Sequence, residues 1–173
     1  MTESVAANVT TRAFKSAMSQ FASGVTIVTM RAAGSFHGLT VSAFTSVSAA
    51  PPLVLICVSK QQRSHEILAA AGGFAVNILS AEQSALGGRF AEAPPEERFT
   101  GLQCFTAKTG APILRGSLAW MDCQLQRAVD SGDHSIFIGE VLAVEVGEAN
   151  EAQPLVYYNR GWRRLHPGHL STS

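Results

Sequence analysis

Two alternating segments joined by a DSGD turn constrain this 173-residue chain more than any other feature. Between Ser117 and Val129, the residues Ala119, Met121, Cys123 and Leu125 share one face, and between His134 and Val146 the same holds for Ile136, Ile138, Leu142, Val144 and Val146. A period of two on both sides of a turn predicts a long antiparallel hairpin. Further β-branched or apolar runs at Val25–Met30, Gly38–Ala43, Leu53–Val58 and Phe74–Leu79, and a short one at PLVYY, bring the expectation to about six or seven strands. Predicted helices are brief: residues 12–22; HEILAAA, capped by Ser64 and ended by Gly72; and a segment from Ser80 towards Phe90, opened by a Ser80/Gln83 capping box. Such helices are too short for βαβ crossovers, so the expected fold is mainly β, a closed or nearly closed antiparallel barrel with a few short flanking helices. Residues 91–112, rich in Pro and Gly, are expected to form a long surface excursion.

An apolar content of 46% over this length suits one core, expected over residues 12–166, with loose ends at 1–11 and 167–173. Thirteen basic and thirteen acidic residues cancel, so no long-range field favours nucleic acid or an anionic membrane. Cys57, Cys104 and Cys123 are odd in number and never spaced C-x-x-C, which disfavours a disulfide framework or a thiolate zinc site and fits a reducing cytoplasm. No secretory leader and no stretch near ~18 apolar residues is present, so a membrane span is not expected. His166 and His169 lack further ligands, and no metal site is expected. Charged residues are 15% of the chain, a low-charge surface that suggests burial against a second copy.

Three segments carry candidate chemistry. TVSAFTSVS concentrates Thr40, Ser42, Thr45, Ser46 and Ser48 where a strand leads towards Pro51 and Pro52; these hydroxyls suit a polar-edged ring system with a phosphate tail, and equally an exposed edge strand. Ser59, Lys60, Arg63 and Ser64 precede a helix whose free amides favour an anion, or form a solvated cap with surface cations. In Gly132–His134, His134 can bond a substrate amide or phosphate; Asp133 and His134 also suit simple turn closure. Tyr157, Tyr158 and Trp162 can stack on a planar ligand or serve the core. The G-x-G-x-x-G, P-loop and G-x-S-x-G signatures are absent, which disfavours a Rossmann site, a P-loop and a hydrolase elbow.

In order, FASGVTIVT, GLTVSAFTSVSAAPPLVLICV, FAVNIL, GRFA, GDHSIFIGEV and PLVYYNRGWRRL resemble the flavin reductase family, the short-chain NAD(P)H:flavin oxidoreductases that supply reduced flavin to two-component monooxygenases. The resemblance runs from about Phe14 to Leu165. It implies a Greek-key split barrel of the FMN-binding type, a homodimer, FMN or FAD as cofactor, NADH or NADPH as co-substrate, and a flavin-dependent monooxygenase as partner. By the same resemblance Thr40, Val41, Ser42, Ala43, Ser46, Val47 and Ser48 line the flavin, Ser59 and Ser64 face its phosphate end, and Arg89 with Phe90 closes the pocket. His134 is the expected catalytic and nicotinamide-binding residue, with Asp133 and Tyr158 beside it. Leu39 stands where many relatives have Met, and Trp162 where many have Tyr. Alternatives are an oxidase of the pyridoxamine-phosphate type and a flavin carrier without turnover.

Overall fold

The computed structural model describes residues 9–147 and 152–165. Among these the chain runs α1 (Thr11–Met18), β1 (Ser23–Gly24), β2 (Thr26–Ala32), β3 (Ser35–Val41), β4 (Phe44–Ala49), β5 (Pro52–Ser59), α2 (Arg63–Ala71), β6 (Gly73–Ile78), α3 (Ser84–Glu92), β7 (Cys104–Thr106), β8 (Pro112–Leu114), β9 (Ala119–Ser131), β10 (His134–Val146), β11 (Val156–Tyr158) and β12 (Gly161–Arg163). The DSGD hairpin is present as β9–β10, with Gly132 at φ 64° in its turn. The Ser80/Gln83 capping box also forms, Gln83 Oε1 accepting from the Ser80 amide at 3.0 Å. Gly72 ends α2 at φ 71°.

Seven strands make one antiparallel sheet in the order β3-β2-β6-β9-β10-β5-β4, flanked by a three-stranded sheet β1-β11-β12 and the hairpin β7-β8. The two edges, β3 and β4, are consecutive in the chain and joined only by Ser42 and Ala43. A flat sheet of this width would hold its edges ~29 Å apart, whereas this link reaches only about 10 Å. The sheet must therefore curl until its edges approach. The hydrogen-bond ladder nonetheless stays open, because β3 pairs only with β2 and β4 only with β5. The barrel expectation thus becomes a curled, mainly β sheet with two unpaired edges. Inside the curl Val28, Met30, Val54, Ile56, Phe74 and Phe137 form the main core, and Leu68 of α2 plugs one end. A second cluster around Ile27, Leu79, Phe90, Leu114 and Leu155 packs α3 and the flanking segments on the outside.

Several local expectations change. The first helix stops at Met18 rather than residue 22. Ser64 does not cap α2: Gln62 holds that position and Ser64 is buried in the first turn. The polar run before Pro51 is a full edge strand, β4, with a bulge at Val47. Residues 91–112 are no simple excursion, since they hold β7 (Cys104–Thr106), which pairs with the wholly buried strand Pro112–Leu114 that follows. There the fully buried Asn77 accepts from the Leu114 amide at 2.8 Å and donates to the Ile27 carbonyl at 3.0 Å, so one side chain satisfies backbone groups that no ladder reaches. The expected ends lie largely outside the described residues, as do His166 and His169, although residue 11 already belongs to α1.

Candidate functional site

Register sets the floor of the site. β10 pairs with β5 as His134 with Ser59, Ile136 with Cys57 and Ile138 with Leu55. The alternate residues Ser135, Phe137, Val54, Ile56 and Val58 are buried inside the curl, so the first set lies on the outer face. Across that face runs a trough of three adjoining hollows of about 600, 660 and 420 Å³. The first holds His134, Asp133 and Ile136; Phe14, Lys15 and Cys57 are shared between it and the central hollow. Ser42, Tyr157 and Arg160 are shared between the central hollow and the third, which adds Thr40, Glu92 and Trp162. Met18, Phe21, Phe44 and Leu55 make the central hollow apolar, Thr45 and Ser42 give it hydroxyls, and no carboxylate borders it among the described residues. The size lies within the range of ordinary ligand pockets, and an apolar floor with hydroxyl and cationic margins fits a planar ring carrying phosphate.

At one end of the trough, His134 Nδ1 lies 2.8 Å from Asp133 Oδ1. The hydrogen bond from His134, then its charge, holds the Asp133 carboxyl below its ordinary value. A carboxylate only accepts, so Nδ1 donates to Asp133 and Nε2 is the ring nitrogen left to meet a ligand. Behind the turn, Ser135 Oγ donates to Asp130 Oδ1 at 3.0 Å and lies 2.9 Å from His65 Nε2, while Lys60 Nζ sits 3.5 Å from Asp130 Oδ2. The bond from Ser135, followed by the Lys60 charge, keeps Asp130 below the usual carboxylate range. The Lys60 amide also donates to the Asp133 carbonyl at 3.0 Å. These bonds fix the start of β10, and with it His134, to the end of β5 and to α2.

The structure separates the residues that the sequence groups together. Ser42 and Ala43 line the central hollow. Thr40 lines the third hollow, but its hydroxyl donates to the Gly87 carbonyl at 2.6 Å, and Val41 is buried in the core. Ser46, Val47 and Ser48 lie on the unpaired edge strand β4, outside the lining of the trough. Ser59 is opposite His134, whereas Ser64 lies with His37, Arg63 and Arg98 in a separate hollow of about 250 Å³ beside β3. Arg89 donates to the carbonyls of Glu97 and Thr100, tying down the 95–100 segment. Phe90 is buried, packs edge-to-face on Phe99 at 5.0 Å, and sits under Gly38, where a Cβ would come within 2.7 Å of its ring. Tyr158 donates its hydroxyl to Gln20 Oε1 at 3.1 Å; its neighbour Tyr157 faces the trough, edge-to-face with Trp162 at 5.4 Å.

Phe14 and Lys15 lie outside the motifs quoted above, Cys57 and Arg160 lie within them with no role assigned, and sequence reasoning passes over all four as site residues. The one available signal was strand parity, since Cys57 and Leu55 fall on the face opposite Val54, Ile56 and Val58. Among the described residues no cluster of three or more His, Cys, Asp or Glu could hold a metal ion, and no helix is long and apolar enough to cross a membrane.

A family model for the flavin reductase like domain matches residues 18–166. A probable flavin reductase of Rhizobium meliloti is 43% identical over 135 residues, covering 78% of this chain, which spans only 43% of that protein's length. The reductase subunit HsaB of a flavin-dependent monooxygenase from Mycobacterium tuberculosis is 32% identical, over 94% of this chain and 87% of its own. Among solved structures, the Streptomyces globisporus NADH:FAD oxidoreductase SgcE6 in complex with NAD and FAD fragments superposes with a TM-score of 0.83 at 33% identity, covering 90% of this chain and 93% of that one. With the curled sheet and its ring-sized trough, these matches lead to one conclusion: the chain belongs to the flavin reductase family, a family of flavin oxidoreductases.

Proposed function

We propose that this protein is an NAD(P)H:flavin reductase that takes FMN or FAD in the outer trough and delivers reduced flavin to a partner monooxygenase. The observation that carries this reading is the joining of His134, the Ser42–Ala43 corner and an apolar floor in one continuous trough. When bound, a flavin supplies the acceptor for a hydride from the nicotinamide ring, so the chain itself needs no proton-transfer triad. Its residues hold two planar groups against each other and keep water out. Phe14, Met18 and Phe21 supply the apolar roof, Leu55 and Cys57 the floor. The β4 edge, bulged at Val47 between Ser46 and Ser48, offers backbone donors and acceptors that the sheet leaves unused, matched to the polar margin of a flavin ring. The flavin phosphate end is assigned to Ser59 at the end of β5 and to Arg63 and Ser64 at the first turn of α2, so that the tail leaves the trough past Ser59 towards the separate hollow that Arg63 and Ser64 line; Arg89 and Phe90 support that wall from behind. His134, held by Asp133, accepts an N–H of the nicotinamide carboxamide through Nε2.

The same reading extends to a homodimer. Leu142, Val144 and Val146 are 44%, 63% and 76% exposed at the open end of the long hairpin, an apolar strip that a second copy would cover. The decisive assay is anaerobic: the purified protein should accelerate NADH-dependent bleaching of FMN or FAD absorbance. No acceleration with either flavin, nor binding of either, rules the proposal out. The monooxygenase partner is supported by the name of the mycobacterial relative and is tested by coupling the reductase to a flavin-dependent monooxygenase and measuring substrate hydroxylation.

A further inference from the structure

The hairpin β11–β12 turns through two residues, Asn159 and Arg160, both at positive φ, 47° and 61°. A two-residue turn of this type strongly prefers glycine at its second position, and a long side chain there is strained. This sequence has its glycine one residue later, at Gly161, and keeps arginine in the strained place. Nothing in the local packing explains the choice: among the described residues the Arg160 side chain makes no ion pair and no hydrogen bond. It does line both the central and the third hollow of the trough. The central hollow also holds Lys15, so in a chain of zero formal net charge it carries two cations and no bordering carboxylate, with Glu92 beside Arg160 in the third hollow and Asp133 beside Lys15 in the first. An excess of positive charge at the margin of an apolar hollow favours an anion, and a guanidinium fork matches the oxygens of a phosphate.

We propose that Arg160 is a specificity-determining residue that binds a phosphate group of the nucleotide held in the trough, with Lys15 adding charge from α1, whose end is bonded to the same turn through the Asn159 amide and the Ser19 carbonyl. This rests on the flavin reductase reading above. Because the flavin phosphate end is assigned to α2, the phosphate expected at Arg160 belongs to the nicotinamide nucleotide. The strained turn sets Arg160 at the margin shared by the central and third hollows, at the expense of local stability.

The test compares wild type with Arg160→Gln, Arg160→Lys and Arg160→Gly. Steady-state rates are measured with NADH and NADPH against riboflavin, FMN and FAD, and NAD+ and NADP+ binding is measured by calorimetry on protein without flavin. Arg160→Gln should raise KM and Kd for the nicotinamide nucleotide about ten-fold or more, and the dependence of KM on salt should flatten. Arg160→Lys should fall between the two. Arg160→Gly should bind as poorly as Arg160→Gln yet melt higher than wild type by about 2–4 °C, because glycine relieves the turn. Loss confined to NADPH and NADP+ locates the 2′-phosphate at Arg160, and equal loss with NADH locates the pyrophosphate. Loss towards FMN and FAD but not riboflavin keeps the phosphate role and transfers it to the flavin. Unchanged affinities in all variants, or equal loss for riboflavin and FMN, overturn the assignment while wild-type activity leaves the reductase reading intact. Wild type that neither binds nor reduces flavin overturns both.

Discussion

At the scale of single residues, His134 depends on its neighbour. With Asp133 accepting from Nδ1 at 2.8 Å, Nε2 is the ring nitrogen left to meet a ligand. His134→Ala should therefore raise KM for the nicotinamide nucleotide more than KM for flavin, and the opposite ranking removes His134 from this role. The depressed Asp133 carboxyl gives the pH sign. Its bond to His134 is fully present above the unperturbed carboxylate pKa and is lost as pH falls through the lower folded value. NMR titration of the Asp133 carboxyl should find a midpoint below the ordinary one, and His134→Ala should return it towards that value. The thiols differ first by burial. Cys123 is pushed up to about 12, first by burial and then by the Asp122 charge, while burial also raises Cys57 and Cys104. In the folded protein at neutral pH a disulfide reagent should leave Cys123 unmodified, and modification should follow unfolding.

At the scale of elements, strand irregularities decide what faces what. The bulge at Leu142, between the pairs Val141–Cys123 and Ala143–Asp122, reverses the parity of β10. Ile136 and Ile138 point outward to the trough side, while Val144 and Val146 come level with Met121 and Ala119. One alternating pattern in the sequence thus serves two surfaces. Gly139 sits where β10 crosses Phe74, and a Cβ there would come within 2.6 Å of that ring. Gly139→Ala should destabilise the fold by about 1–3 kcal/mol, read from chemical denaturation. Asn77→Ala strands the Leu114 amide and the Ile27 carbonyl in the core and should cost about 2–4 kcal/mol, with a matching fall in Tm. Helix α1 buries none of its residues, and Ser19, just beyond it, accepts from the Asn159 amide at 2.9 Å. Its apolar side finds its use over the trough rather than in the core.

At the scale of the whole molecule, the two-residue link between β3 and β4 forces the sheet to curl, and the curl brings Ser42 and Ala43 beside Tyr157 and Arg160. The exposed strip Leu142, Val144 and Val146 bears on assembly. Val144→Lys should shift the mass in light scattering towards the monomer; a mass that is monomeric and independent of concentration in the wild type removes the homodimer.

The sequence by itself determined the antiparallel, mainly β class, the β9–β10 hairpin, the capping box at Ser80 and the apolar inner residues of β2, β5 and β6, because these depend on periodicity and on neighbours a few positions apart. The ordered motifs also carried the family. Tertiary structure alone decided that Phe14, Cys57, His134, Tyr157 and Arg160 share one trough, that the Thr40–Ser48 run divides between core, corner and free edge, and that Phe90 packs inward. Those placements depend on strand order, on register and on a bulge that inverts a face, and each couples residues dozens of positions apart that no local pattern links.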